Sequence, residues 1–319
     1  MSLSYLEAVV VGALQGVTEL FPVSSLGHSV ILPAVIGGQW ATDLDVSSPE
    51  SPYLAFIVGL HVATAVALLV FFWRDWVRII GGFVSSIRYR RVATDAERLA
   101  WLIILATIPI GVAGLLLEHT FRTVLGRPIP AAAFLFANGV ILLVGERLRR
   151  SALLRTPAMS THGLAQNAAP GIEPDPDAGI EGAVADLRSD QRLAGLSMKR
   201  GVFVGASQIL ALLPGISRSG VAMVAGLTQG LSHRDAARFS FLLATPVILA
   251  AGVLKIPDLT GPLGAGISGQ ILAGSVASFV CAYLSVRFLE RYFRTRTLIP
   301  FAVYSMIAGA AALIWLSVR

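Results

Sequence analysis

Six apolar stretches, each about 20 residues long, constrain the fold of this chain more than any other feature of its sequence. A helix needs roughly 20 mostly apolar residues to cross the hydrocarbon core of a bilayer. Only 14% of the residues are charged, against about a quarter in soluble domains, which excludes a cytosolic enzyme and a nucleic-acid binder. The sequence therefore predicts an all-α polytopic membrane protein, with spans at 53–73, 99–117, 129–148, 238–256, 268–287 and 299–317.

Two further apolar stretches, 3–37 and 201–231, are interrupted in the middle by proline and polar residues. Each uninterrupted part is about a dozen residues long, which is too short to cross a bilayer. Non-helical backbone is tolerated at membrane depth only where protein or a water-filled cavity covers it. Each stretch is therefore predicted to be a re-entrant helix pair that enters the membrane, turns at a polar tip and returns.

The two interrupted stretches resemble each other, and each begins one half of the chain. Both contain Gly-Ala-x-Gln, starting at Gly12 and at Gly205, and both then reach proline, serine and glycine. Because three spans, an odd number, follow each stretch, the second half is predicted to be an inverted repeat whose tip meets the first near the midplane. A chance match of residues common in membrane helices is the alternative, and the shared position in each half favours the repeat.

Arginine is distributed unevenly among the segments that connect the spans, and this orients the chain. Segments 38–52 and 257–267 hold neither Lys nor Arg. Cytoplasmic loops of membrane proteins carry an excess of these residues, so both termini are predicted to lie outside. The segments predicted to be cytoplasmic loops are the three that are rich in arginine: 74–98, 147–150 and 287–296.

Residues 151–197 differ in composition from the rest of the chain. They are rich in proline and acidic side chains and contain no long apolar run. This composition predicts a flexible cytoplasmic linker. The predicted organisation is then a first repeat at 1–150, the linker at 151–197 and a second repeat at 198–319.

The tip of the first pair carries several groups capable of chemistry. Gln15 and Glu19 are four residues apart and share one face of a half-helix. A carboxylate inside a membrane is costly and indicates a function, the alternative being that it accepts hydrogen bonds from the turn. Ser24 or Ser25 is a natural N-cap for a helix whose free N–H groups favour an anion such as phosphate. His28 follows within one turn, and serine with histidine is the minimum pair for nucleophilic attack.

The tip of the second pair supplies complementary groups. Gly215 and Gly220 permit a tight turn whose amides can bind an anion beside Ser217 and Ser219. Arg218 offers a permanent cation with forked donors for phosphate oxygens, and an ion pair with the carboxylate of the first tip is a compatible role. Carboxylate, hydroxyl, imidazole and guanidinium together suit phosphoryl transfer, in which positioning and charge neutralisation dominate.

These two tips resemble the signature regions of the undecaprenyl-diphosphate phosphatases, the bacitracin-resistance (BacA/UppP) family. That family has Glu or Gln, three residues, Glu, then Pro-Val-Ser-Ser and Gly-His, followed later by Pro-Gly-x-Ser-Arg-Ser-Gly-x-Thr. The resemblance covers nearly the whole chain outside 151–197. The matching segments are Gln15-Gly-Val-Thr-Glu-Leu-Phe-Pro-Val-Ser-Ser-Leu-Gly-His28 and Pro214-Gly-Ile-Ser-Arg-Ser-Gly220.

The resemblance implies an enzyme of the bacterial inner membrane that hydrolyses undecaprenyl diphosphate to undecaprenyl phosphate and phosphate. This reaction recycles the lipid carrier of peptidoglycan synthesis and gives bacitracin resistance. The resemblance also implies a site facing the outer leaflet and a divalent cation, Mg²⁺ or Ca²⁺. The implied roles are a metal-linked acidic motif, a catalytic pair and a diphosphate anchor: Glu19 with Gln15, Ser25 (or Ser24) with His28, and Arg218.

Three positions depart from the family pattern. Gln15 is the neutral variant, so metal binding would rest more on Glu19 and on the diphosphate itself. Leu26 stands where threonine is common. Ala222 stands where the second motif usually has threonine, which removes one hydroxyl contact.

Several alternatives stay open on the sequence alone. An inverted repeat with re-entrant tips is also transporter architecture, so a polyprenyl-phosphate flippase is the rival function. Only the enzyme needs Ser25 and His28 for chemistry, and the nucleophile is either of the two serines, His28 or water. His61 lies within a span, where a packed histidine is more common than one that faces a cavity. The sequence leaves monomer and homodimer open.

Overall fold

The computed structural model describes residues 3–44, 52–155, 178–255 and 266–318, and its regular elements in these ranges are all helical. The all-α fold predicted from the sequence is confirmed. In chain order the helices are α1 Tyr5–Thr18, α2 Ser25–Ile36, α3 Gly38–Asp43, α4 Pro52–Phe71, α5 Trp73–Tyr89, α6 Asp95–Leu125, α7 Pro128–Arg155, α8 Ala178–Ala194, α9 Met198–Ser207, α10 Arg218–Thr228, α11 His233–Leu254, α12 Ser268–Tyr292 and α13 Ile299–Val318. A 3-10 helix, Gln208–Leu212, lies between α9 and α10.

Five helices in the described ranges are long and apolar enough to cross a membrane, and they match five of the predicted spans. They are Asp95–Leu117 within α6, Pro128–Ala152 within α7, α11, α12 and α13. A sixth span is counted if the bent pair formed by α4 and α5 is taken as one. The protein is therefore a multi-pass membrane protein.

Helix α5 replaces most of the arginine-rich loop predicted at 74–98, and that prediction was wrong for residues 74–89. The helix is bent by 84° from α4. Its buried face includes Ile79, while Val77, Ile80 and Val84 recur at helical spacing on an exposed face. An amphipathic helix with arginine on its polar positions suits the membrane interface, which explains why this segment is both basic and helical.

Both interrupted apolar stretches are broken where the sequence predicts a tip. Helix α1 gives way to α2 across a turn at 19–24, and the 3-10 helix after α9 leads to α10 across a turn at 213–217. Pro22 lies in the first turn and Pro214 in the second, where proline cannot continue a hydrogen-bonded helix. The inverted relation of the two halves stays a prediction.

Small residues let the helices that carry the tips approach their neighbours closely. Helix α1 packs along α12, where a Cβ added to Gly12 would lie 2.2 Å from the backbone oxygen of Gly274. Helix α7 packs along α13, with Gly139 against the backbone of Ala302. Backbone contact of this kind is typical of helix pairs in membranes. Because α2 and α10 both also contact α7, the two tips lie side by side within the bundle.

Part of the segment predicted to be a flexible linker is ordered. Residues 151–155 extend α7, residues 178–194 form α8, and 156–177 lie outside the described residues. Within 178–194 the prediction of a flexible linker was wrong, because its acidic side chains pair with buried arginine. Arg238 is only 1% exposed and lies 3.2 Å from both Asp186 and Asp190 of α8.

Candidate active site

The carboxylate of Glu19 is the centre of the polar cluster at the first tip. Glu19 caps the end of α1 and is buried. Gln15, one helical turn earlier, donates from Nε2 to Oε2 of Glu19 at 3.0 Å. The hydroxyl of Ser25, the first residue of α2, donates to the same oxygen at 2.5 Å. The break between α1 and α2 therefore folds a serine hydroxyl back onto a membrane-buried carboxylate.

Arg218 brings the second tip to the same carboxylate. It is the first residue of α10, and its Nη2 donates to Oε1 of Glu19 in an ion pair. Its Nη1 donates to the carbonyl oxygen of Ala244 in α11 at 3.3 Å. Both partners are largely buried, so each charge depends on the other to offset the cost of desolvation. The predicted meeting of carboxylate and guanidinium is present in the structure.

The backbones of the two tips also touch. A Cβ added to Gly27 would lie 2.9 Å from the Cα of Gly215. Gly215 has a φ of +112°, and a Cβ there would lie 2.3 Å from the backbone oxygen of Ala131. Glycine is thus required at 215 both by conformation and by space. The two tips therefore touch each other, and the side chains of Ser25 and Arg218 both bond to Glu19.

The two adjacent serines of the first tip have different positions. Ser24 is the N-cap of α2, and its Oγ accepts a hydrogen bond from the N–H of Gly27 at 3.2 Å. Ser24 has a φ of 68°, an uncommon left-handed conformation for a residue other than glycine. Ser25 follows with its hydroxyl on Glu19. Of the two serines, Ser25 therefore has a carboxylate beside it that can accept its proton, whereas the hydroxyl of Ser24 caps a helix.

His28 lies one turn into α2, and its ring nitrogens bond to groups other than the hydroxyls of Ser24 and Ser25, with which the sequence paired it. Its Nδ1 lies 2.7 Å from the carbonyl oxygen of Ser24 and its Nε2 lies 2.8 Å from the hydroxyl of Tyr304. A carbonyl only accepts, so Nδ1 carries hydrogen and in the neutral ring Tyr304 donates to Nε2. The two rings are parallel, with centroids 5.8 Å apart. Both ring nitrogens are thus engaged, while Ser25 bonds to Glu19.

The serines of the second tip support the turn. Ser217 is the N-cap of α10, accepts from the N–H of Gly220 at 3.2 Å and lies 3.0 Å from the Oγ of Ser219. Ser219 donates to the carbonyl oxygen of Phe21 at 3.3 Å, which links the second tip to the first. These predicted substrate-binding serines therefore have internal hydrogen-bond partners. Their N-terminal position on α10 leaves the helix end beside Arg218, where an anion is favoured.

Comparison with known proteins identifies the family. The family profile described as bacitracin resistance protein BacA matches residues 8–311. This chain belongs to the BacA family. An "Undecaprenyl-diphosphatase" of Mycolicibacterium paratuberculosis is 66% identical, covering 99% of both chains. "Undecaprenyl-diphosphatase 1" of Frankia casuarinae is 53% identical over 98% of both, and an "Undecaprenyl-diphosphatase" of Granulibacter bethesdensis is 39% identical over 99% of this chain and 98% of that relative.

In this BacA chain, Asn138 is a buried residue of the site region that the sequence reasoning missed. It lies in α7 and is fully buried. Its Nδ2 donates to the carbonyl oxygen of Pro22 at 3.0 Å, and its Oδ1 accepts from the N–H of Ser217 at 3.0 Å. One carboxamide thus holds the backbone of both tips. A carboxamide in the middle of an apolar span was the sequence feature that could have identified it, because polar groups inside a membrane usually have a partner.

The sequence reasoning also gave His61 the wrong position. The packed histidine favoured by the sequence is instead 30% exposed, with Nε2 3.5 Å from Oε2 of Glu19. Its Nδ1 lies 2.9 Å from the carbonyl oxygen of Ile57, one turn earlier in α4. Four helices, α1, α2, α4 and α10, therefore direct polar groups at Glu19, and α4 is the one that the two signature regions do not contain.

The oxygen donors at this BacA site suit a cation that is shared with a substrate. Among the described residues, no group of three or more His, Cys, Asp and Glu side chains could hold a metal ion. Mg²⁺ is commonly bound by one or two carboxylates together with substrate phosphates. Glu19 supplies one carboxylate and Gln15 a neighbouring carboxamide. These two residues could hold a divalent cation only together with ligands from outside the chain.

Proposed function

We propose that this protein is an integral-membrane phosphatase that hydrolyses undecaprenyl diphosphate to undecaprenyl phosphate and phosphate. The observation that carries the proposal is the convergence of Ser25, Glu19 and Arg218 from two broken helices inside the bundle. This set joins a hydroxyl nucleophile, a proton acceptor and a phosphate-binding cation. The printed names of the BacA relatives support the same substrate and the same reaction.

The chemistry begins at the hydroxyl of Ser25. Its oxygen attacks the terminal phosphorus in line, while its proton passes to Glu19, whose Oε2 already accepts the hydroxyl hydrogen at 2.5 Å. The bond from phosphorus to the bridging oxygen breaks, and undecaprenyl phosphate leaves with that electron pair. Water then attacks the phosphorus of the phosphoserine, the bond from phosphorus to Oγ breaks, and Oγ takes back the proton from Glu19 as phosphate leaves.

Proton transfer to Glu19 also changes the partner of Arg218. In the resting site the guanidinium is paired with the carboxylate. Protonation removes the negative charge of Glu19, so the guanidinium is free to stabilise the charge that builds on the phosphate oxygens. The ion pair would thus hold the arginine in position until the nucleophile is activated.

In this proposal His28 acts only in the second step, the attack of water. Its Nε2 is held by the hydroxyl of Tyr304, so activation of water for the second step requires that hydrogen bond to open. His28 as the nucleophile is the alternative chemistry. Phosphohistidine is labile in acid and phosphoserine is stable, so the acid stability of a trapped phosphoenzyme distinguishes the two.

A divalent cation, Mg²⁺ or Ca²⁺, belongs to the same proposal. Glu19 and the carboxamide of Gln15 would hold it together with diphosphate oxygens. When bound, the cation supplies neutralisation of phosphate charge. The chain's own contribution is to place the carboxylate, the serine and the arginine around that position.

We place the enzyme in the bacterial inner membrane with the site toward the outer leaflet. The support is the arginine of α5 and of the α12–α13 connection, which the positive-inside rule assigns to the cytoplasm. All the residues of the proposed site come from one chain.

The test is phosphate release from undecaprenyl diphosphate by purified protein in detergent, with Mg²⁺, with Ca²⁺ and with a chelator. We expect release by the wild type, loss of about 100-fold or more in Arg218→Ala, and little change in Arg147→Ala, an exposed arginine outside the site. Absence of release under every metal condition would refute the enzyme and leave the flippase reading.

A further inference from the structure

A basic cavity lies at one end of the bundle, where the end of α7 and the α12–α13 connection meet the start of α11. Its volume is about 520 Å³. Three separate segments of the chain contribute cationic side chains to the same cavity wall, and no carboxylate of the described residues is among its lining groups. The arginines of the lining are Arg149, Arg234, Arg294 and Arg296.

Three of the four lining arginines form no ion pair with a described residue. Across the described parts of the chain, no carboxylate lies within 4.0 Å of Arg149, Arg294 or Arg296. Arg234 is the exception, because it pairs with Asp186 at 2.9 Å and, through Nε, with Glu290 at 3.6 Å. Like charges that converge on one cavity repel each other, so a bound anion would lower the energy of the arrangement.

The cavity is separate from the proposed active site. Arg218 contacts the carbonyl oxygen of Ala244 in α11, whereas the cavity is lined by His233 and Arg234 at the start of the same helix. At 1.5 Å per residue these points are about 16 Å apart along the helix axis. Glu19 and Arg218 are therefore not part of its lining, and a ligand there would not occupy the reacting position.

We infer that this cavity binds an anion that carries phosphate, either the headgroup of an anionic lipid or free inorganic phosphate. Guanidinium groups present forked donors that match phosphate oxygens. Thr295 and Thr297 add hydroxyls to the wall, and the start of α11 adds the positive end of a long helix. The inference does not depend on the phosphatase proposal, because none of these residues takes part in the proposed chemistry.

Two double variants separate a built site from general positive charge. Arg149→Gln with Arg296→Gln removes two lining arginines. Arg88→Gln with Arg147→Gln removes two exposed arginines that do not line the cavity, which makes it the matched control for net charge. Both variants should release phosphate from undecaprenyl diphosphate at the wild-type rate and unfold at the wild-type temperature, which shows that each is folded.

Two binding measurements on delipidated protein in detergent distinguish the two sources of phosphate. Native mass spectrometry measures retention of phosphatidylglycerol against phosphatidylcholine, and thermal unfolding measures stabilisation by inorganic phosphate against chloride at equal ionic strength. For at least one of these anions we expect the cavity variant to weaken binding about tenfold or more, and the control variant to weaken it less than about twofold. The anion that responds identifies the source.

Two outcomes would overturn the inference. One is that wild-type protein shows no preference for phosphatidylglycerol over phosphatidylcholine and no stabilisation by inorganic phosphate. The other is that the two double variants weaken binding equally, because the arginines would then act only as general surface charge. Neither outcome would bear on phosphate release by the active site, so the phosphatase proposal would stand or fall separately.

Discussion

Removal of the Asn138 side chain should disturb the position of the two tips without removing any group that is proposed to react. Asn138 touches no group proposed to react, and it holds the carbonyl of Pro22 and the N–H of Ser217. In Asn138→Ala both buried backbone groups lose a partner, which should destabilise the fold by about 1–3 kcal/mol and lower kcat. The measurements are thermal unfolding and the rate of phosphate release.

Asn138→Asp provides the control for this residue. A carboxylate oxygen can still accept from the N–H of Ser217, but it cannot donate to the carbonyl of Pro22. We expect stability and rate at or below those of Asn138→Ala, because the new carboxylate is buried opposite the carbonyl oxygen of Pro22 and repels it. Wild-type rates in both variants would show that the bridge between the tips has no influence on the site.

Ser24 and Ser25 should respond differently to the same substitution, although they are adjacent. Ser24→Ala removes the N-cap of α2 and should cost about 1 kcal/mol of stability while phosphate release persists. Ser25→Ala removes a hydroxyl that bonds the buried carboxylate of Glu19, so it should cost about 1–3 kcal/mol of stability and abolish release. The reverse pattern would show that Ser24 is the nucleophile.

Helix pairs hold the tips in place, and the closest pair gives a prediction with an internal control. Gly12→Ala places a Cβ against the backbone of Gly274 and should separate α1 from α12, with a loss of about 1–3 kcal/mol. Gly111→Ala in α6 meets open space, so it should be neutral or stabilise the helix by up to about 1 kcal/mol. Thermal unfolding in detergent compares them, and equal losses would contradict the proposed close crossing.

Helix α8 shows how a segment that reads as a linker becomes part of the fold. Asp190 lies beside Arg78 and Arg238, and its carboxylate is largely buried. Asp190→Asn should therefore destabilise the protein by about 1–3 kcal/mol, because Arg238 and Arg78 lose a shared carboxylate while Asp75 stays 2.9 Å from Arg238. Asp186→Asn should cost less, since that carboxylate is 39% exposed. Unfolding temperatures that rank the two variants in the opposite order would contradict this account of α8.

The bundle as a whole was largely predictable from the sequence because its dominant signal is apolar length. Membrane spans and the two breaks follow from hydrophobicity and proline, which act locally. Glu19 and Arg218 were also predictable, because a charge within an apolar stretch is costly anywhere in a membrane. The spans, the breaks and the buried charges all reflect the lipid that surrounds the chain more than its tertiary contacts.

The parts that escaped prediction all depend on contacts between distant segments. The pairing of His28 with Tyr304 follows from how α2 lies against α13. The role of Asn138 becomes visible only when both turns lie beside α7. Acidic composition at 178–194 resembles that of disordered linkers, and its order comes from an arginine in another helix, Arg238.

The central claim is that the two tips form one site in which Ser25 opens the diphosphate. The most direct measurement is the rate of phosphate release from undecaprenyl diphosphate by purified wild type and by Ser25→Ala, each assayed below its unfolding temperature. We predict release by the wild type and a loss of at least about 100-fold in the variant. Release by Ser25→Ala at the wild-type rate would contradict the claim.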